Sequence, residues 1–201
     1  MLKKRFYILL FFCLLLGGNV NSSTVDKGDN NAPFENKRTE TDYLPIADPF
    51  VMLYNNKYYA YGTGGTVNEG FACFSSDDLK NWKRERQALS ADDSYGKWGF
   101  WAPEVYYIQS KKKFYMFYSV EEHICVATSD SPVGPFRQES KQPIWEEKSI
   151  DTSLFIDDDG TPYLYFVRFT DGNVIWVAQM TDDLMLSLIH ISEPTRPEPI
   201  S

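Results

Sequence analysis

The stretch IADPFVMLYNNKYYAYGT, residues 46–63, sets an acid and a proline before an apolar run, turns at Asn55 and Asn56, and resumes as an aromatic run. Asparagine tolerates the backbone of a tight hairpin, so the stretch predicts two strands joined at Asn-Asn. It continues into FACFSSDDLKNW, residues 71–82, and the same plan then recurs twice. The second copy is APEVYYIQSKKKFYMFYS followed by HICVATSDSPVGPF; the third is SIDTSLFIDDDGTPYLYFV followed by VIWVAQMTDDL.

From Tyr58 to Phe114 is 56 positions, and from Phe114 to Tyr163 is 49. Tyr, Phe, Val, Ile and Trp dominate the strands, and no segment keeps a 3.6-residue apolar period over several turns. A repeat near this length, with paired strands at short turns, predicts an all-β propeller ahead of a solenoid or a sandwich.

The acids follow the repeat. Asp48 lies 10 positions before Tyr58, Glu104 lies 10 before Phe114, and Asp151 lies 12 before Tyr163. Taken singly, an acid at a strand head is an ordinary turn residue. In a propeller the heads of the innermost strands ring the axis, so three carboxyl groups are expected to converge, with different neighbours pushing their pKa values apart.

The remaining chain bounds the setting. Lys3, Lys4 and Arg5 precede an apolar run from Phe6 to Leu16, the layout of a secretory signal over residues 1–22. The run is too short to span a membrane, so no membrane insertion is expected after cleavage, and the protein is expected to be periplasmic or extracellular. Lipidation at Cys13 is the lesser alternative. Residues 23–42 are polar and predict a flexible lead-in to a folded domain over 43–185. Loss of three positive charges with the signal takes the formal net charge from -8 to -11. That acidity excludes nucleic acid as a natural partner and suits a neutral carbohydrate. A monomer is expected. Cys73 and Cys125 sit in similar contexts, FACF and HICV, and predict two buried thiols rather than a bridge.

The motifs ADPFVMLYNNKYYAYGT, WAPEVYY, VATSDSPVGPF and IDTSLFIDDDGTPYLYF together resemble glycoside hydrolase family 43, over about residues 43–184. The resemblance implies a five-bladed β-propeller and hydrolysis of glycosidic bonds with inversion. It implies that Asp48 is the general base that activates water, and that Asp151 tunes and orients the acid. A base must stay ionised, which a partly solvated strand head allows, and an inverting pair stands about 6.5–9.5 Å apart to admit a water. Glu104, in WAPEV, matches a position near the bound sugar and is expected to contact substrate. Of the aromatics Trp98, Phe100 and Trp101, each packs between blades or stacks on a sugar ring, and Trp101 is the first choice of platform. The implied substrates are arabinofuranosides, xylosides or galactosides; a non-catalytic carbohydrate-binding propeller is the alternative.

No cofactor motif is present. The DDDG run, residues 157–160, lacks the alternating spacing of a calcium loop and predicts a hairpin turn, while His123 predicts a strand start rather than a metal ligand. About three blades are expected in this chain. The resemblance places the acid, a glutamate in a Glu-Gly-Pro context, in the next blade, and no Glu-Gly-Pro occurs here. Residues 186–201 contain LSLIHISEPTR, which looks like the in-frame translation of a transposase-end sequencing adapter. His190 and Glu193 are therefore not candidates for catalysis, and the chain by itself is expected to be inactive.

Overall fold

A computed structural model describes residues 44–64, 69–169, 172–185 and 187–191. The leader over 1–22, the lead-in over 23–42 and residues 192–201 lie outside the described residues.

Each repeat becomes one antiparallel meander. The first sheet contains β1 (Ile46–Tyr54), β2 (Lys57–Gly64), β3 (Gly70–Ser76) and β4 (Lys83–Ser90), paired in chain order. The second contains β5 (Trp101–Ile108), β6 (Lys113–Val120) and β7 (His123–Ser129). The third contains β8 (Ser149–Ile156), β9 (Pro162–Arg168), β10 (Val174–Met180) and β11 (Ser187–Ile191). Apart from one 3-10 turn at Ala91–Asp93, the described elements are all strands, and the sheets are three blades of a propeller. The first strands β1, β5 and β8 pack on one another in turn and line the axis.

Strand composition follows from how many faces each strand buries. Phe50, Met52 and Tyr54 of β1 turn towards the second blade, whereas Val51 and Leu53 on the opposite face are exposed. Alternation along β1 is the signature of one covered face. Strand β6, KFYMFYSV, is apolar almost throughout because both of its faces are covered. Its Phe114, Met116 and Tyr118 join Tyr61, Phe71 and Phe100 in one core cluster, while Tyr115 and Phe117 join Leu154, Leu164 and Phe166 in another. The second blade is thus the shared wall of both cores.

The hairpins obey turn chemistry in two places and override it in a third. Asn55 and Asn56 have φ of 49° and 59°, as a two-residue hairpin requires. Residues 157–160 form the β8–β9 turn, with the Gly160 N–H donating to the Asp157 carbonyl at 2.9 Å. Between β6 and β7, Glu121 and Glu122 take the same left-handed conformation, with φ of 51° and 61°, although glutamate does not favour it. Bonds from outside hold them: Glu121 N–H donates to the Trp98 carbonyl at 3.2 Å, and the Glu122 carbonyl accepts from Ser149 N–H at 2.8 Å.

The VGPF segment stitches the first two blades together. Phe136 N–H donates to the Ala88 carbonyl of β4 at 2.7 Å, and Arg137 exchanges backbone bonds of 3.0 Å with Thr128 of β7. The Phe136 ring is fully buried, edge-on to Tyr61, and the Tyr61 hydroxyl donates to the Pro132 carbonyl. Gly134 permits this approach: at its φ of 82°, an added Cβ would stand 2.4 Å from the Ala88 carbonyl oxygen. In the SSDDLKNW turn Asp78 Oδ1 accepts from the N–H groups of Lys80 and Asn81, and Asp77 pairs with Lys57 of β2 at 3.7 Å.

Cys73 and Cys125 are both buried and free, on equivalent third strands, and burial pushes both thiols up to about 12. His123 opens β7. The expected end of the blade pattern at residue 185 meets a main-chain strand at Ser187–Ile191, paired with β10. Ladder bonds use backbone groups that every residue but proline carries, so this pairing is indifferent to the origin of the side chains.

Phe136→Ala is expected to lower the unfolding free energy by about 3–5 kcal/mol, the cost of emptying a buried phenylalanine site. Exposed Phe169, 43% accessible, supplies the control, since its alanine variant should change stability by less than about 0.5 kcal/mol. Urea midpoints of the two variants check the difference.

Candidate active site

The three inner strands share one irregularity. Register is lost between Ala47 and Phe50 in β1, between Trp101 and Glu104 in β5, and between Ile150 and Ser153 in β8. The first residue of each bulge, Asp48, Ala102 or Asp151, has a left-handed φ of 46°, 43° or 54°. Such a backbone costs a non-glycine residue about 1–2 kcal/mol, and its effect is to re-aim one side chain per strand.

Asp48 and Asp151 are therefore equivalent positions, with Ala102 between them. Glu104 stands two residues further on, in the place of Phe50 and Ser153. This corrects the register read from spacing. Asp48 and Glu104 both lie 10 positions before an aromatic, but the β1–β2 hairpin has two loop residues and the β5–β6 hairpin has four, residues 109–112. The longer loop absorbs the two-residue slip and conceals it from counting.

Hydroxyl groups organise the bulges. Thr63, opposite Ala47, donates to Asp48 Oδ2 at 2.8 Å and accepts from the Ala102 N–H at 2.9 Å. Ser119, opposite Trp101, accepts from the Asp151 N–H at 3.1 Å. The Tyr106 hydroxyl donates to Glu104 Oε2 and accepts from the Leu154 N–H at 3.1 Å. Ser153 also bonds the Glu104 carboxyl. Thr63, Tyr106, Ser119 and Ser153 escape reading from sequence, because Ser, Thr and Tyr are ordinary strand residues; only the position of Thr63 inside the YGT of the opening stretch hints at a role.

Charge acts along the acids in sequence, from Asp48 on Asp151 and from Asp151 on Glu104. Asp151 opens to solvent on one side but is crowded on the others, so reduced hydration raises its carboxyl, and the charge of Asp48 raises it further. Glu104 is half-buried, and desolvation raises it; the Tyr106 and Ser153 hydrogen bonds pull it down, and the Asp151 charge adds a smaller push upwards. Asp151 is thus the middle member of the series, flanked by Asp48 and Glu104.

The aromatics before Glu104 separate by environment. Phe100 is fully buried, stacked on Tyr118 at 6.3 Å and edge-on to Phe71, and belongs to the core. Trp101 is half-buried with its ring against Gly99, and Trp98, 50% exposed, meets it edge-on at 6.3 Å. Trp98 is thus the most open of the three. Among the described residues, no group of three or more His, Cys, Asp or Glu side chains could hold a metal ion.

The family model described as glycosyl hydrolases family 43 matches residues 44–195. The chain belongs to glycosyl hydrolases family 43. Its curated relatives include a beta-xylosidase of Xylanibacter ruminicola, 28% identical over 175 residues, covering 76% of this chain and 52% of the relative. An arabinoxylan arabinofuranohydrolase of Bacillus subtilis is 30% identical over 156 residues, 59% of this chain and 30% of the relative. Among solved structures, an endo-1,4-beta-xylanase of Bacteroides thetaiotaomicron is 86% identical with a TM-score of 0.71, over 74% of this chain and 51% of that one. An endo-arabinase of the same organism is 26% identical with a TM-score of 0.67, over 76% and 57%. The chain spans about half the length, or less, of the curated family 43 relatives it matches here.

Because the Tyr106 hydroxyl favours the charged form of Glu104, Tyr106→Phe should move the Glu104 titration further upwards. Carboxyl-carbon NMR of selectively labelled glutamate, followed across pH, checks the direction.

Proposed function

We propose that the protein carrying this chain is an inverting O-glycoside hydrolase acting on arabinofuranosides, xylosides or galactosides of plant or microbial polysaccharides. The observation that carries the reading is the placement of Asp48 and Asp151 at equivalent left-handed bulges of the first and third inner strands, coupled by charge. Asp48, exposed and held by Thr63, takes the proton of the attacking water. Asp151 tunes and orients a glutamic acid lying outside the three blades described, which protonates the leaving oxygen. Glu104 and Trp101 contact the sugar. Xylan-type substrates are the first to test, because the 86% identical neighbour is described as an endo-1,4-beta-xylanase. The basic and apolar leader supports export, and the lack of a Glu-Gly-Pro glutamate among the 201 residues supports reading them as inactive by themselves.

Asp48→Asn in the full-length protein should lower kcat on aryl glycosides by about 100- to 10,000-fold, the usual worth of a positioned proton acceptor. Binding of the matching oligosaccharide, measured by calorimetry, should stay within about threefold. Proton NMR of the first sugar released by the unaltered protein should show inverted anomeric configuration. Full turnover in the variant, or retention of configuration, would overturn the assignment; binding without hydrolysis by the unaltered protein would replace it with a carbohydrate-binding role.

A further inference from the structure

Two hydroxyls occupy matching places and do the same thing. Thr63 lies opposite Ala47, the residue before the β1 bulge, and Ser119 lies opposite Trp101, the residue before the β5 bulge. Each reaches across a blade boundary to the bulge of the next inner strand, Thr63 to the Ala102 N–H and Ser119 to the Asp151 N–H. A bulge leaves its extra residue outside the regular ladder, so that amide needs an acceptor from elsewhere. The hydroxyl of the preceding blade supplies it.

Thr63 carries a second bond: its own proton goes to Asp48 Oδ2. Accepting from an amide polarises the O–H and strengthens the bond it donates. The run from Ala102 N–H through Thr63 to Asp48 therefore makes the aim of the Asp48 carboxylate depend on where the second blade sits. The corresponding place in the third blade is Val167, opposite Ile150, which has no hydroxyl to offer. The device is thus confined, among the described residues, to the two boundaries that meet at Ala102 and Asp151.

We infer that Thr63 and Ser119 are positioning residues that clamp successive bulges across the blade boundaries, and that Thr63 in addition fixes the carboxylate of Asp48 for its work on water. The inference rests on the reading of Asp48 as the base. It asks no chemistry of either hydroxyl beyond hydrogen bonding.

The test uses Thr63→Val, Thr63→Ser and Ser119→Ala in the full-length protein, with amide exchange of Ala102 and Asp151 followed by NMR beside steady-state kinetics. Thr63→Val should speed exchange at Ala102 about tenfold or more and lower kcat about tenfold, with KM within about twofold. Thr63→Ser, which keeps the hydroxyl, should restore both to within about threefold. Ser119→Ala should speed exchange at Asp151 and leave Ala102 protected. If Thr63→Val does not unfold cooperatively, Thr63→Ala is put through the same readouts.

Unchanged exchange at Ala102 in Thr63→Val overturns the clamp. Unchanged kcat in that variant, in a protein that Asp48→Asn inactivates, overturns the positioning of the base. Should Asp48→Asn retain full turnover, the base reading fails by itself, and the exchange measurements still decide the clamp.

Discussion

One left-handed residue in each inner strand governs how the axis of this propeller is furnished. Asp48, Ala102 and Asp151 all adopt a backbone that costs a non-glycine residue about 1–2 kcal/mol. The short polar side chain of aspartate eases that cost in part at Asp48 and Asp151, but the methyl group of Ala102 does not. The flanking ladders hold it instead, with regular pairing resuming at Phe50, Glu104 and Ser153. Two of the three bulge amides are then satisfied by hydroxyls from the preceding blade. The site is consequently a product of blade packing: remove the neighbour and the strained residue loses its acceptor.

Packing concentrates on the second blade. Both faces of β6 are covered, so its sequence is apolar in nearly every position, and the two core clusters meet through it. This places Glu104 and Trp101 on the blade that both cores share. The loop carrying Trp98 is tied to the same blade through the strained Glu121–Glu122 turn, whose amide donates to the Trp98 carbonyl. The charges are arranged with similar economy: the charge of Asp48 adds to the desolvation that raises Asp151, and the charge of Asp151 adds a smaller push to Glu104.

Much of this was legible beforehand, for identifiable reasons. Asn55–Asn56 announced its hairpin because asparagine tolerates positive φ, and the apolar run of β6 announced a doubly covered strand. The family motifs located Asp48 and Asp151, which share a bulge position. The register of Glu104 was misread because an extra pair of loop residues between β5 and β6 compensated a two-residue slip, and counting along a chain cannot see loops. The Glu121–Glu122 turn was invisible because it violates residue preference and survives on bonds from Trp98 and Ser149. Thr63 and Ser119 were invisible because a hydroxyl shows its purpose only when the partner, 39 or 32 residues away in sequence, is brought beside it.

Ala102 occupies the place where the strands on either side of it carry acids. The backbone there is already bent and clamped by Thr63, yet the side chain is a single methyl group. Each blade thus presents a socket whose geometry is maintained independently of what is plugged into it. Aspartate, alanine and aspartate fill three successive sockets, and the middle blade carries its carboxyl two residues further on, at Glu104. A scaffold organised this way can exchange reactive groups one blade at a time without renegotiating its core, which is a physical route by which one architecture comes to serve many sugar chemistries.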